Sequence, residues 1–231
     1  MTEPLTVILL TYQRTDYMMR TVHGLGNHLR YPEWGWYVSD DGSSDEHHSW
    51  AVGSAEATDR PVIGHHNAKL SYGSGANAGL HAAFDHGHLV LMLEDDWELT
   101  SDLDIWKWAA LLMERPDIGM VRMGYLNAGV SGTLIGHNGS LYWMLDDTES
   151  RHHSAFAFAG HPALIHRRFF DAYGLYPERW QPGETELQMC WQVASQNGPS
   201  IVWPAELASA GPFAHIGGEQ SYTWNGGIRL P

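Results

Sequence analysis

The apolar positions of this chain fall into short unbroken runs separated by longer stretches of helical rhythm. Leu5-Thr6-Val7-Ile8-Leu9-Leu10 and Leu89-Val90-Leu91-Met92-Leu93 have almost no polar alternation. Such runs read as strands buried on both faces. Trp36-Tyr37-Val38 and Pro61-Val62-Ile63-Gly64 read as shorter strands. Between them the pattern predicts helices over 15–29, 47–57 and 74–86, with Thr15 as N-cap of the first and Asp16 in its first turn. Thr100-Ser101-Asp102 offers caps for a further helix, and 184–196 reads as another, ended by Asn197-Gly198-Pro199. Strands alternating with helices at this spacing predict the α/β class, a doubly wound, mostly parallel sheet with right-handed crossovers.

Beyond residue 120 the order is less regular. Residues 127–147 are rich in glycine and hydroxyl residues and read as a hairpin or a loop. Five glycines from Gly211 onward suggest a flexible tail that could close over a site. With no repeat and no linker, the chain reads as a single domain, 1–231.

The chemistry concentrates at Glu94-Asp95-Asp96, directly after the second long strand. Carboxylates there lie on the rim where open α/β sheets bind ligands. Three neighbouring carboxylates repel one another unless a cation sits between them. The triplet therefore points to a divalent metal holding a phosphorylated substrate. The plain alternative is a turn or helix start, where acidic residues are common.

Composition narrows the classes. Of 231 residues 43% are hydrophobic and 17% charged, as in a folded globular domain. A net charge of −14 argues against broad attraction to a nucleic-acid backbone, leaving only local patches such as Arg167-Arg168. The single cysteine, Cys190, excludes an intrachain disulfide and a cysteine-based zinc site, and fits a reducing compartment. No signal peptide and no apolar window of roughly 20 residues is visible, which predicts a cytoplasmic protein without stable membrane insertion. The 15 histidines are scattered singly or in pairs, none at zinc-helix spacing, and most read as surface or structural residues.

Several motifs in order resemble glycosyltransferases of the GT-A fold, above all the inverting family 2. Val7-Ile8-Leu9-Leu10-Thr11-Tyr12-Gln13-Arg14 is similar to that family's first strand and loop, and Val38-Ser39-Asp40-Asp41-Gly42-Ser43-Ser44-Asp45 to its nucleotide-binding signature. Asn77-Ala78-Gly79 resembles its N-x-G helix, Glu94-Asp95-Asp96 its D-x-D, and 158–168 with 174–178 its acceptor-side strand and helix. The resemblance implies a nucleotide-sugar half, 1–100, and an acceptor and catalytic half, 101–231. It implies a nucleoside-diphosphate sugar as donor, a UDP-sugar ranked first, with Mn²⁺ or Mg²⁺ neutralising the departing diphosphate.

By the same resemblance Asp96 is the first-choice metal ligand, Asp95 reaches the ribose, and Glu94 supports the metal. His215 is a late histidine that completes the coordination, or a loop residue without a role. Asp41 would recognise the base, in a pocket lined by Thr11 and Tyr12. Arg14 lies near the phosphates or in solvent. Trp97 and Trp180 are candidate sugar walls, and Trp143 and Trp224 candidate acceptor contacts or lid residues. For the base that deprotonates the acceptor, Trp180 to Leu187 resembles the family's segment, but Thr185 stands where Asp or Asn is common. Glu184 and Glu186 are the candidates, Glu184 ranked first because it follows Pro182-Gly183 at the helix start. Two other readings compete: a sugar-phosphate nucleotidyltransferase, disfavoured by the glycine-free loop 11–15, and an inactive relative that only binds nucleotide sugar or glycan. The acceptor stays open among a protein, a glycan and a hydroxylated DNA base. Small enzymes of this type also occur in bacteriophages, where the host cytoplasm would be the location.

Overall fold

The computed structural model describes residues 3–69, 71–124, 131–146, 156–160, 162–179, 182–207 and 211–217. The chain opens with β1 (Leu5–Thr11), α1 (Thr15–His28), β2 (Leu29–Arg30), β3 (Trp34–Asp40), α2 (Asp45–Glu56), β4 (Val62–Asn67), α3 (Tyr72–Phe84) and β5 (Leu89–Glu94). It continues through β6 (Trp97–Leu99), β7 (Leu103–Asp104), α4 (Trp106–Glu114), β8 (Ile118–Arg122), and the pair β9 (Ser131–His137) and β10 (Ser140–Asp146). After β11 (Ala163–His166) come α5 (Arg168–Tyr173), α6 (Pro182–Ser195), β12 (Ser200–Pro204) and β13 (Phe213–His215).

Nine strands form one sheet in the order β4-β3-β1-β5-β11-β8-β12-β10-β9. Within it, only β11 and β10 run against the others. The unbroken apolar runs are explained by two cores. Val7 and Leu9 of β1 face a cluster with Met18, Val22 and Leu25 of α1, whereas Ile8 and Leu10 face a second cluster with Ala76 and Leu80 of α3. The central strands thus bury both faces, and alternation has no polar side to display. The short sheet β6–β13 lies along α1 at the margin.

Helix starts differ from the sequence expectation where a hydroxyl is used elsewhere. Thr15 is not the cap of α1, because its Oγ1 lies 2.8 Å from His47 Nδ1; Arg14 occupies the cap position. α2 and α3 begin two residues earlier than expected, behind the side-chain caps Ser44 and Ser71. α4 begins at Trp106, well after Thr100-Ser101-Asp102, since the intervening residues build β6 and β7. Residues 131–146 form the hairpin reading: Asn138 and Gly139 have φ of +46° and +80°, the left-handed pair of a two-residue turn.

Asn77 clamps α3 to the segment before α6. Its Nδ2 donates to Tyr176 O and Glu178 Oε1, both at 2.9 Å, and its Oδ1 accepts from Tyr176 N at 3.0 Å. We predict that Asn77→Ala lowers the unfolding free energy by roughly 2–3 kcal/mol, because buried backbone partners lose their bonds. Urea denaturation checks this; a change within about 0.5 kcal/mol, typical of a surface site, would refute the clamp.

Candidate functional site

Four parallel strands end flush at one edge of the sheet. Thr11 lies beside Asp40, Leu10 beside Glu94, and Asp40 beside Asn67. The residues that follow each strand therefore share one rim, the ligand-binding edge of an open α/β sheet.

Asp95 is fully buried and held from several sides. Its Oδ2 accepts from Thr11 Oγ1 at 2.8 Å and Tyr12 N at 3.1 Å, and its Oδ1 pairs closely with Arg14 Nη2. Behind Thr11 stands His47, whose Nε2 is 2.9 Å from Thr11 Oγ1. The Thr11 proton points to Asp95, so its oxygen accepts from Nε2–H, and Thr15 Oγ1 lies against Nδ1. Burial lowers the His47 pKa, favouring the neutral ring, in which Nδ1 accepts from Thr15. Burial raises the Asp95 pKa to about 6, while Arg14, Thr11 and the Tyr12 amide pull it back. His47, within a pair that sequence reasoning counted as surface or structural, is thus a buried brace of the rim.

Asp96 is less well satisfied. Arg14 Nη1 donates to its Oδ2 at 2.7 Å, and His215 Nε2 lies 3.4 Å from the same oxygen. Its Oδ1 is buried without a hydrogen-bond partner. His215 arrives there because β13 pairs with β6, setting His215 opposite Trp97, while Ile216 N donates to Asp96 O at 2.8 Å. A Cβ on Gly217 would stand 2.4 Å from Asp96 Oδ2, so this close approach requires glycine. Asp96, with Oδ1 unbonded and Oδ2 beside the imidazole, suits a divalent cation, Mn²⁺ better than Mg²⁺ because of the nitrogen. Among the described residues no three His, Cys, Asp or Glu side chains converge on one metal position, so the fit rests on Asp96 and His215.

Glu94 does not join that pair. It turns to the α3–α6 side, where Tyr72 hydrogen-bonds to it. There it meets Glu186: their Oε1 atoms lie 3.6 and 3.4 Å from where a Cβ on Gly160 would stand. Glu186 Oε1 accepts from Gly160 N at 2.6 Å. Burial, then the charges of Asp96, Glu186 and Asp95, raise the Glu94 pKa to about 8. Thr185 is fully buried, and Glu184 stays partly exposed in the first turn of α6, outside the contacts that join Glu94 and Glu186.

At the other end of the rim Lys69 Nζ lies 3.5 Å from Asp41 Oδ2 and 4.1 Å from the centre of the Tyr12 ring. Sequence reasoning passed over Lys69; its position just past the carboxyl end of β4 was the available signal. Trp97 is not an open sugar wall: it is 3% exposed, belongs to the α1-side core, and meets the site through the His215 ring at 4.9 Å. Trp143 on β10 is exposed, and Trp180 and Trp224 lie outside the described residues.

Sheet order and rim together define the GT-A class. The chain belongs to glycosyl transferase family 2, whose profile matches residues 6–174. Its fold is similar to the crystal structure of S. aureus TarS, with a TM-score of 0.63 and 16% identity over 91% of this chain and 36% of that one. It is also similar to the mannosyltransferase PcManGT from Pyrobaculum calidifontis in complex with GDP-Man and Mn²⁺, at 0.59 and 16%, covering 90% of this chain and 56% of that one. GalNAc-T7 with UDP, GalNAc and Mn²⁺ gives 0.59 and 16%, covering 88% and 42%. The chain thus spans between 36% and 56% of the length of these three structures. No curated protein sequence matches it. Among the described residues no helix is long and apolar enough to cross a membrane.

The Glu94 shift carries a prediction. Its folded-state pKa lies above the ordinary value, so the folded chain binds the extra proton and is favoured at low pH. Metal-free stability should therefore decline as pH rises from 4.5 to about 8. Glu94→Gln should flatten that decline, by an amount on the order of a few kcal/mol. Thermal melts across this range check it; parallel pH profiles in both proteins would contradict it.

Proposed function

We propose that this chain is a metal-dependent, inverting glycosyltransferase that moves a sugar from a nucleoside-diphosphate sugar, a UDP-sugar ranked first, to an acceptor hydroxyl. One observation carries the reading: the rim sets the Asp96–His215 pair on one side and the Glu94–Glu186 pair on the other. Family membership supports sugar transfer. The complexes of PcManGT with GDP-Man and Mn²⁺ and of GalNAc-T7 with UDP and Mn²⁺ support a nucleotide donor and a divalent ion. Asp96 and His215 would hold Mn²⁺ or Mg²⁺, which as a Lewis acid offsets the charge of a departing diphosphate.

The chain's own residues supply the rest. Thr11, Tyr12 and Asp41 form the base pocket, and Asp95, fixed by Thr11 and Arg14, faces the ribose. Glu186 is the base that removes the acceptor proton. It replaces Glu184 as first choice because it lies beside Glu94 at the end of β5 and is held there by the Gly160 amide. Burial and the neighbouring carboxylates raise the pKa of Glu94 beside it, which favours its neutral form. In this reading the chain is one domain, with residues 1–100 holding the donor and 101–231 the acceptor, and it acts in the cytoplasm. The acceptor class stays open among a protein, a glycan and a hydroxylated base.

Glu186→Gln should cut transfer by about 100-fold or more while leaving UDP affinity within about 3-fold. Glu184→Gln should transfer at close to the native rate, and Asp96→Asn should lose Mn²⁺-dependent thermal stabilisation by UDP. A Glu186→Gln protein with native turnover removes the assigned base. Release of pyrophosphate would indicate a nucleotidyltransferase, and donor binding without any turnover an inactive relative.

A further inference from the structure

We infer that Arg14 is a resident counter-cation of Asp95 and Asp96 which must leave Asp96 before a divalent ion is held there, and which then grips the donor's diphosphate. The inference rests on the metal reading above and concerns the order and coupling of binding, which that reading leaves open.

The observations are local. Gln13 has φ of +57°, so the loop after β1 turns back sharply and delivers Arg14 onto the rim. The Arg14 side chain is only 16% exposed, and its fork spans both carboxylates, Nη2 on Asp95 and Nη1 on Asp96. The two carboxylates are not equivalent. Asp95 has Thr11 and the Tyr12 amide as further donors, and so keeps hydrogen bonds if Arg14 departs. Asp96 has a buried Oδ1 with no hydrogen bond, and an Oδ2 shared between Arg14 and His215. Asp96 is therefore the acid with a free oxygen, Oδ1, while Arg14 stands on Oδ2, the oxygen through which Asp96 and His215 would share one ion.

A dication bound through that oxygen would meet a guanidinium already 2.7 Å from it. Two cations on one carboxylate oxygen repel strongly in a poorly hydrated site. The displaced guanidinium is planar and always charged, and its paired N–H groups match a phosphate in bidentate fashion. Metal alone must displace Nη1 from Asp96 at the cost of that bond, and diphosphate alone finds Arg14 engaged with both carboxylates. Together each removes the obstacle to the other, and the coupling is reciprocal. At rest the single positive charge of Arg14 offsets part of the charge of two buried carboxylates.

The test is calorimetric titration of Mn²⁺ into the native chain and Arg14→Gln, each with and without saturating UDP. Arg14→Gln is expected to bind Mn²⁺ alone at least about 5-fold more tightly than the native chain, and the enhancement of Mn²⁺ binding by UDP to shrink by a similar factor. Arg14→Lys keeps the charge but not the fork. It should tighten Mn²⁺ binding less than glutamine does, and it serves where the glutamine variant fails to fold. Equal or weaker Mn²⁺ binding by the variants overturns the inference alone. Absence of Mn²⁺ binding by the native chain with UDP overturns the metal reading, and this inference with it.

Discussion

The cleft depends on one electrostatic constraint. The register of the parallel strands brings Asp40, Asp41, Glu94, Asp95 and Asp96 to a single rim, in a chain already carrying −14. Buried carboxylates in such proximity are tolerated only if each is countered, hydrogen-bonded or protonated. Arg14 counters Asp95 and Asp96, and Lys69 covers Asp41. The Ser43 amide bonds Asp40 at 3.0 Å. The loop after β1, the cap of α2 and the segment after β4 are all recruited to this balance. That is why Thr15 and His47, residues of two helix starts, serve Asp95 and not only their own helices.

The backbone plan was legible because it follows from burial on both faces. β1 and β5 announce themselves as unbroken apolar runs, and the Asn138-Gly139 turn follows from residues that accept a left-handed backbone. Helix boundaries were less legible, since Ser44, Ser71 and Thr15 are equivalent as letters and differ only in what their hydroxyls meet in space. The rim itself could be located from Glu94-Asp95-Asp96. What the sequence did not reveal is that its three carboxylates serve two places. Asp95 and Asp96 turn toward Arg14, and Glu94 lies with Tyr72 and Glu186, because the chain leaves β5 at Glu94 and bends at once into β6.

Residues distant in sequence were harder still. Glu186 and Glu184 are alike on paper. Only the packing of α6, with Thr185, Met189 and Cys190 buried, orients Glu186 to Gly160 and leaves Glu184 at the margin. Trp97 misled for the opposite reason: adjacency to the triplet suggested a wall of the cleft. Yet β6 must lie along α1 to present its partner β13, and this pairing buries the indole while bringing His215 to Asp96. The core position of Trp97 is what places the histidine.

The two ends of the cleft solve the same charge problem by different means, and the difference matches the chemistry proposed for each. Around Asp41, Asp95 and Asp96 the solution is counter-cations, Lys69 and Arg14. Around Glu94 and Glu186 burial and neighbouring negative charge raise the Glu94 pKa, so that protonation is favoured there. A cation kept beside Glu186 would stabilise its carboxylate and weaken it as a base, whereas a neutral carboxylic acid leaves its basicity available. Phenols and a backbone amide complete that end without adding positive charge. In the proposed reading, an anion-binding end and a proton-accepting end coexist within one rim because cations balance charge at the first and the raised Glu94 pKa does so at the second.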